Sequence, residues 1–246
     1  MKKVLVMLLA LVVLFAMVSC KDEPHVHSWD DGTDNGNGKY VYKCSGCDET
    51  KSEYMTFEIG DEGPGGGFVF YDCDADNTQE DPDGADNLKS SVCGWRYLEA
   101  AAVASEATCQ FGYFRETDSS PNLTVGGTGT AIGTGKSNTD KLVTAMGAEA
   151  YTASSGSEKT ASYAAKHCAD CNAGGKTDWF LPSKAELALI YTNLRLNNKG
   201  NFDIGNSYIS SSEKNSFSAE GQVFINGNLT DFSRNNTCKV RPVRQF

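Results

Sequence analysis

The chain is poor in the residues that most catalytic and nucleic-acid-binding sites require. Of its 246 residues only three are histidines, and two of these, His25 and His27, stand together near the start. Residues 56–246 therefore hold a single imidazole, His167, so a Ser-His-Asp or Cys-His arrangement there has one possible base. Lys and Arg total 22 against 32 Asp and Glu, giving a net charge of -10, and no basic cluster occurs anywhere. That balance argues against nucleic acid as a partner and against direct attraction to an anionic membrane surface. Long apolar runs are missing as well. The run at residues 4–17 falls short of the roughly 20 residues a transmembrane helix needs. A complete phosphate-binding loop is also lacking: Gly135-Lys136-Ser137 resembles the end of one, but the glycine required five residues before Gly135 is Thr130.

What is present begins with an export pattern over residues 1–20. Met1-Lys2-Lys3 is a positive start, residues 4–17 form the apolar core, and Val18-Ser19-Cys20 is a small-residue end. Cysteine placed directly after Ser19 fits a lipobox, with Cys20 diacylated as the first residue of the mature chain and the membrane reached through that lipid anchor. Met17 stands where Leu is usual, and cleavage without lipid is the alternative. Either way the chain reads as exported to a bacterial cell envelope, facing the surface or the periplasm. The 25 glycines, with abundant Asn, Ser and Thr, suit a loop-rich extracellular domain.

Residues 21–55 read as a separate small module. His25-x-His27 precedes Trp29, a turn-rich stretch follows to Gly38, and Tyr40-Val41-Tyr42 leads to Cys44-x-x-Cys47. Two imidazoles and two thiols can close a tetrahedral Zn²⁺ shell, with the turn folding the His arm back onto the Cys arm. In so small a unit the metal supplies much of the folding energy. The order of ligands resembles zinc-ribbon-like H-x-H-x-W…Y-x-C-x-x-C modules of bacterial surface proteins. A Cys44–Cys47 disulfide is the competing reading in an oxidising compartment.

The remaining 191 positions, residues 56–246, read as one domain. Its scaffold centres on Asp178-Trp-Phe-Leu-Pro-Ser-Lys-Ala-Glu-Leu187. Trp179 to Leu181 is a short buried strand, Pro182 stops it, and Ser183 with Glu186 makes the spacing of a capping box. The helix that follows carries Leu187, Ile190, Tyr191 and Leu194 on one face. Further strands are expected at 68–71, 93–98, 208–212, 221–225 and 239–244. Helices are expected at 99–104, from about 138 to 146 and over 157–171.

Two groups of chemistry-bearing residues stand out in this domain. Asp72, Asp74 and Asp76 alternate like positions 1, 3 and 5 of a Ca²⁺ loop, with Asp83 at position 12. Asn77 replaces the loop glycine and Asp83 is shorter than the usual Glu, so a solvated acidic loop is the alternative. Six cysteines, Cys73, Cys93, Cys109, Cys168, Cys171 and Cys238, allow up to three disulfides and 15 connectivities. Cys73 with Cys93 and Cys109 with Cys168 are the preferred pairs, leaving Cys171 and Cys238 to pair or stay free.

The string around Leu181-Pro182-Ser183, with Gly60-Asp-Glu-Gly-Pro-Gly-Gly-Gly-Phe-Val-Phe-Tyr71, Gly94-Trp-Arg-Tyr-Leu-Glu-Ala100, Ile132-Gly-Thr-Gly-Lys-Ser137, Tyr208-Ile-Ser-Ser-Ser-Glu213 and Val240-Arg-Pro-Val-Arg244, resembles the Lcl C-terminal domain family in matching order. That resemblance implies an α+β, C-type-lectin-like domain of short, mainly antiparallel strands with flanking helices and long loops. Formylglycine-generating enzymes look like distant relatives through Leu181-Pro182-Ser183-x-x-Glu186. Their reactive cysteine pair has no counterpart here, so no catalytic residue is carried over.

Three functions follow as expectations. The first is a surface binding or adhesion module for a glycan, host matrix or other extracellular protein. In it Tyr113, Phe114, Phe217 and Phe232 either stack on sugar rings or fill the core. The others are an enzyme of the formylglycine-generating type and a structural envelope protein. An acidic surface disfavours sulfated glycans unless Ca²⁺, or a basic patch of Arg234, Lys239, Arg241 and Arg244, intervenes.

Overall fold

A computed structural model describes residues 25–75, 89–112, 124–147, 150–151, 159–160 and 163–246. The leader with Cys20, the loop positions Asp76 and Asp83, and the aromatics Tyr113 and Phe114 lie outside the described residues. Two compact units divide the chain. Over the described residues one comprises 25–35 and 39–53, and the other 36–38 and 54–246.

In the N-terminal unit, β1 (Thr33–Asp34), β2 (Lys39–Lys43) and β3 (Thr50–Tyr54) form a sheet in that order. β1 and β2 run antiparallel, pairing Thr33 with Val41 and Asp34 with Tyr40. Among the described residues of this unit only Cys44 is buried.

The C-terminal unit contains, in chain order, β4 (Phe68–Asp72), α1 (Ser90–Cys93), β5 (Tyr97–Ala100), β6 (Ala107–Gln110), α2 (Gly135–Met146), β7 (Ala150–Tyr151), β8 (Lys159–Thr160), α3 (Ala164–Ala169) and α4 (Lys184–Asn193). It closes with β9 (Ser207–Glu213), β10 (Ser218–Val223), β11 (Leu229–Ser233), β12 (Thr237–Val240) and β13 (Val243–Gln245). Strands β11-β10-β9-β12-β6 make a five-stranded sheet, antiparallel except where β12 meets β9. Strands β13-β5-β4 make an antiparallel three-stranded sheet, and β7 pairs with β8. The class is α+β and mainly antiparallel.

Two large apolar cores and a small third cluster of Val69, Tyr97 and Phe246 fill this unit. Phe70, Leu98, Phe180, Leu187, Ile190, Leu194, Phe224 and Val243 belong to the first. Phe111, Leu142, Met146, Tyr163, Leu181, Ile209 and Val240 belong to the second. Helix α4 begins with the expected capping box, in which Ser183 Oγ accepts from Glu186 N–H at 3.3 Å and Glu186 Oε2 accepts from Ser183 N–H at 2.7 Å. Instead of one apolar stripe it buries Ala185, Glu186, Leu187, Leu189 and Ile190, so it is wrapped by the domain on most sides while Tyr191 is half-buried.

Three other expectations need correction. Glu99 and Ala100 end strand β5, and only Val103–Ser105 forms a short 3₁₀ turn where a helix over 99–104 was expected. Pairing of β5 with both β4 and β13 outweighs the helix propensity of the alanines. Helix α3 is shorter than the 157–171 span, and Lys159 and Thr160 lie in β8. The terminal strand is two strands, because Pro242 has no N–H to donate; its carbonyl instead accepts from Ala101 N–H at 2.8 Å.

Candidate metal centre

The N-terminal unit brings His25, His27, Cys44 and Cys47 together, and their ligating atoms all lie within 4.8 Å of one another. Local backbone bonds create that approach. Trp29 bridges to Cys44, Ser45 N–H donates to Ser28 O at 2.8 Å, and Cys44 N–H donates to Glu49 O at 2.9 Å. The arm carrying the histidines is thereby held beside the Cys-x-x-Cys turn.

His25 Nε2 stands 3.4 Å from Cys44 Sγ, and His27 Nδ1 stands 3.6 Å from Cys47 Sγ. A nitrogen and a sulfur held roughly 2.1 and 2.3 Å from one ion at the tetrahedral angle are about 3.6 Å apart, so these separations suit Zn²⁺. His27 Nε2 lies 3.1 Å from Glu49 Oε2, which fixes the imidazole orientation. Gly46 N–H donates to Cys44 Sγ at 3.4 Å. Chiefly the hydrogen bond with His25, then the Gly46 N–H, His27 and Cys47, bring the Cys44 thiol down to about 5 against the opposing effect of burial. The donor set, spacing and outer carboxylate fit a structural zinc site with four protein ligands.

The Asp72–Asp74 pair is differently placed. Asp72 accepts two hydrogen bonds from Arg96, Nε at 3.0 Å and Nη2 at 2.9 Å, while Asp74 accepts from Ser90 N–H at 2.8 Å and from Ser90 Oγ. The cation between these carboxylates is a guanidinium, since Arg96 Nε also lies 3.8 Å from Asp74 Oδ2. The hydrogen bonds from Ser90, and then Arg96, hold the Asp74 carboxyl below its usual range.

Among the described residues no two cysteines are bonded to each other in this structure. Cys73 and Cys93 approach to 3.9 Å between sulfurs. Cys109, Cys168 and Cys238 share the second core, with Cys109 and Cys238 opposite one another on β6 and β12, and Cys171 half-buried nearby in sequence. Burial pushes the Cys168 thiol well up, with Cys109 and Cys171 adding to it. His167 donates from Nε2 to Ser105 O at 3.0 Å, which employs the domain's one imidazole in packing.

Carboxylates whose long-range contacts the sequence did not show hold the glycine-rich loops. Gly65 and Gly67 N–H groups donate to the Glu99 carboxylate at 2.9 and 3.2 Å. Gly133 and Gly135 N–H groups donate to Glu186 Oε1 at 2.8 and 3.4 Å. Val125 and Gly126 N–H groups donate to Glu213 at 2.9 and 2.7 Å. The segment that looks like the end of a phosphate loop therefore binds an anion, but the anion is Glu186 of the same chain. Glycine is required there, because a Cβ on Gly135 would sit 2.2 Å from Glu186 Oε2. Arg244 completes the Glu99 cradle at 2.8 Å and also clasps Asp178 at 2.8 and 2.9 Å. Arg234 meets Glu213 at 2.6 Å, and Arg241 meets Glu106 at 2.6 Å. These three arginines are buried, so the surface basic patch considered from sequence does not form.

A cleft of about 470 Å³ opens in the C-terminal unit, lined by Asn206, Ser207, Phe232, Asn235, Asn236 and Thr237 with Gly205 and Cys238. It lies where β9 and β12 begin and β11 ends. Its side chains are uncharged, and Phe232 is half-buried against the second core. Phe217 is 63% exposed and lies outside the cleft lining.

No protein-family model matches the chain, and no curated protein matches it. Among solved structures the chain is similar to a fimbrial protein from Bacteroides ovatus ATCC 8483, at 13% identity and a TM-score of 0.45 over 85% of this chain. The chain spans 57% of the length of that protein. Among the described residues no helix is long and apolar enough to cross a membrane.

Proposed function

We propose that the chain is an exported, lipid-anchored binding module of a bacterial cell surface, with a zinc-held N-terminal hairpin and a C-terminal domain that takes a neutral glycan. The observation that carries the ligand class is the amide-lined cleft. Asn side chains offer both donors and acceptors, Ser207 and Thr237 add hydroxyls, and Phe232 presents an apolar ring edge or face, which together match the hydroxyls and C–H faces of a pyranose. The lack of charged side chains in the lining favours neutral sugars over sulfated ones. Membership of the Lcl C-terminal domain family and the C-type-lectin-like character belong to this proposal and rest on the sequence motifs. Lipidation at Cys20 rests on the lipobox pattern.

The test is a glycan and matrix-protein array probed with the chain carrying Cys20→Ala, with Ca²⁺ and again with a chelator. Binding to neutral glycans that survives chelation and falls at least tenfold in Asn236→Ala supports the cleft. Binding lost on chelation and restored by Ca²⁺ but not by Zn²⁺ assigns the ligand to a Ca²⁺ site around Asp72 instead, and binding unchanged by Asn236→Ala and Asn206→Ala places it elsewhere on the domain.

A further inference from the structure

The segment between β4 and α1 has ends that the fold brings together by several independent contacts. Cys73 N–H donates to Arg96 O at 2.8 Å, Arg96 clasps Asp72 just before Cys73, and Asp74 just after it accepts from Ser90 at the start of α1. Between these contacts stand Cys73 and Cys93. Their sulfurs are 3.9 Å apart and point at one shared acceptor, Trp95 O, at 3.2 Å from Cys73 and 3.0 Å from Cys93.

We infer that Cys73 and Cys93 are joined by a disulfide in the exported protein, so that residues 73–93 are closed at their base by a covalent bond. The inference rests on the export part of the function proposed above. Sulfurs at 3.9 Å need to close to about 2.05 Å, a change within reach of side-chain rotation when the two backbones are already held. The other candidate partners are occupied elsewhere: Cys109, Cys168 and Cys238 belong to the second core, whereas Cys73 belongs to the first with Cys93 packed against it. Charge does not call for a metal at this point either, because the Asp72 and Asp74 carboxylates already face Arg96. A covalent closure therefore does what the acidic spacing suggested for Ca²⁺.

The chemistry is a dithiol–disulfide exchange with a protein disulfide oxidant of the envelope. Cys93 is half-buried and Cys73 buried, so the Cys93 thiolate attacks the oxidant's disulfide and forms a mixed disulfide, releasing one oxidant thiolate. Cys73 then passes its proton to the departing oxidant sulfur as its own sulfur attacks that of Cys93, which expels the second oxidant thiol. Two thiols lose two protons and two electrons, and the oxidant leaves as a dithiol.

The experiment uses the full chain made with its own leader. Thiols are blocked with N-ethylmaleimide before lysis, the denatured protein is digested without reductant, and peptides are read by mass spectrometry. The expected result is a Cys73–Cys93 linked peptide two hydrogens lighter than the sum of its parts, with neither cysteine alkylated. Alkylation of both, or either one bonded to a different cysteine, overturns the inference. If the leader is still attached and the chain has stayed in the cytoplasm, the export reading fails by itself. The purified chain is then oxidised with glutathione disulfide, where the same linked peptide supports the pairing and alkylation of both cysteines overturns it. As a second readout, reductant lowers the melting temperature of the linked protein by roughly 5–10 °C and leaves Cys73→Ser/Cys93→Ser unchanged.

Discussion

The two units solve the same problem, holding many loops in place, with different means. The N-terminal unit has one buried residue among those described, Cys44, and three short strands that bury little else. Its order comes from four side chains converging on one point. The C-terminal unit has two large apolar cores and a smaller third cluster, and still buries Glu99, Glu186, Arg234, Arg241 and Arg244. A unit too small to form a core gathers side chains that could hold a metal ion, whereas a large core can enclose charges provided each meets a partner. The contrast also explains where glycine is needed. In the larger unit glycines bring main-chain N–H groups against carboxylates, and in the smaller one Gly46 lets the Cys-x-x-Cys turn close beneath His25.

Metal removal gives the sharpest separation of the two. Chelation, or Cys44→Ser with Cys47→Ser, is expected to unfold the N-terminal unit altogether and to abolish one bound zinc per chain. Dispersed amide resonances from β1 and β2 are lost while those of the C-terminal unit persist. A hairpin that keeps its dispersion in chelator, with Cys44 and Cys47 linked, would show that a disulfide holds it.

The next largest effect belongs to the other unit. Arg244→Met leaves the Glu99 carboxylate buried without its guanidinium, and chemical denaturation should show a loss of roughly 3–5 kcal/mol. Replacing Glu99 and Arg244 together by Gln and Met is expected to cost less than the sum of the two single changes, since neither charge is then stranded. Additive losses would mean that the pair is not coupled.

A smaller and pH-dependent effect comes from Glu186. Burial pushes its carboxyl up from 4.5 to about 7, while the N–H groups of Ser183, Gly133 and Gly135 pull it down. A carboxyl raised on folding contributes stability that is fully present below pH 4.5 and is lost as pH rises through about 7. The wild-type C-terminal unit should therefore lose about 3 kcal/mol over that window. Glu186→Gln should lower stability by a constant amount, because one N–H loses its acceptor, and should remove that part of the slope. An unaltered slope in the variant would assign the pH dependence to other groups.

Much of the scaffold was legible in the sequence because it is local. The capping box needs only Ser183 and Glu186 three residues apart, and the candidate metal ligands lie in two short pairs joined by a turn. Strand β9 and helix α4 carry their own residue preferences. The missed features are those decided at long range. Ala100 belongs to a strand because β4 and β13 flank it, not because of its neighbours in sequence. Edge strand β11 alternates between exposed and half-buried residues and gives no strong periodic signal. Glu99 and Arg244 are 145 residues apart, and Glu186 and Gly133 are 53 apart. No spacing rule along the chain marks which carboxylate turns inward, although a glutamate next to a run of alanines in an otherwise apolar strand was one available hint.

The carboxylate cradles have a consequence for how this domain can change. Each grips its loop by main-chain N–H groups, which every residue except proline supplies, so the grip is indifferent to most loop side chains. Only positions of close approach, such as Gly67 against Ala100 O and Gly135 against Glu186, are restricted to glycine. The loops thus behave as a fixed main-chain template on which side chains are exchangeable. Side chains at the other loop positions can therefore change without disturbing the frame beneath.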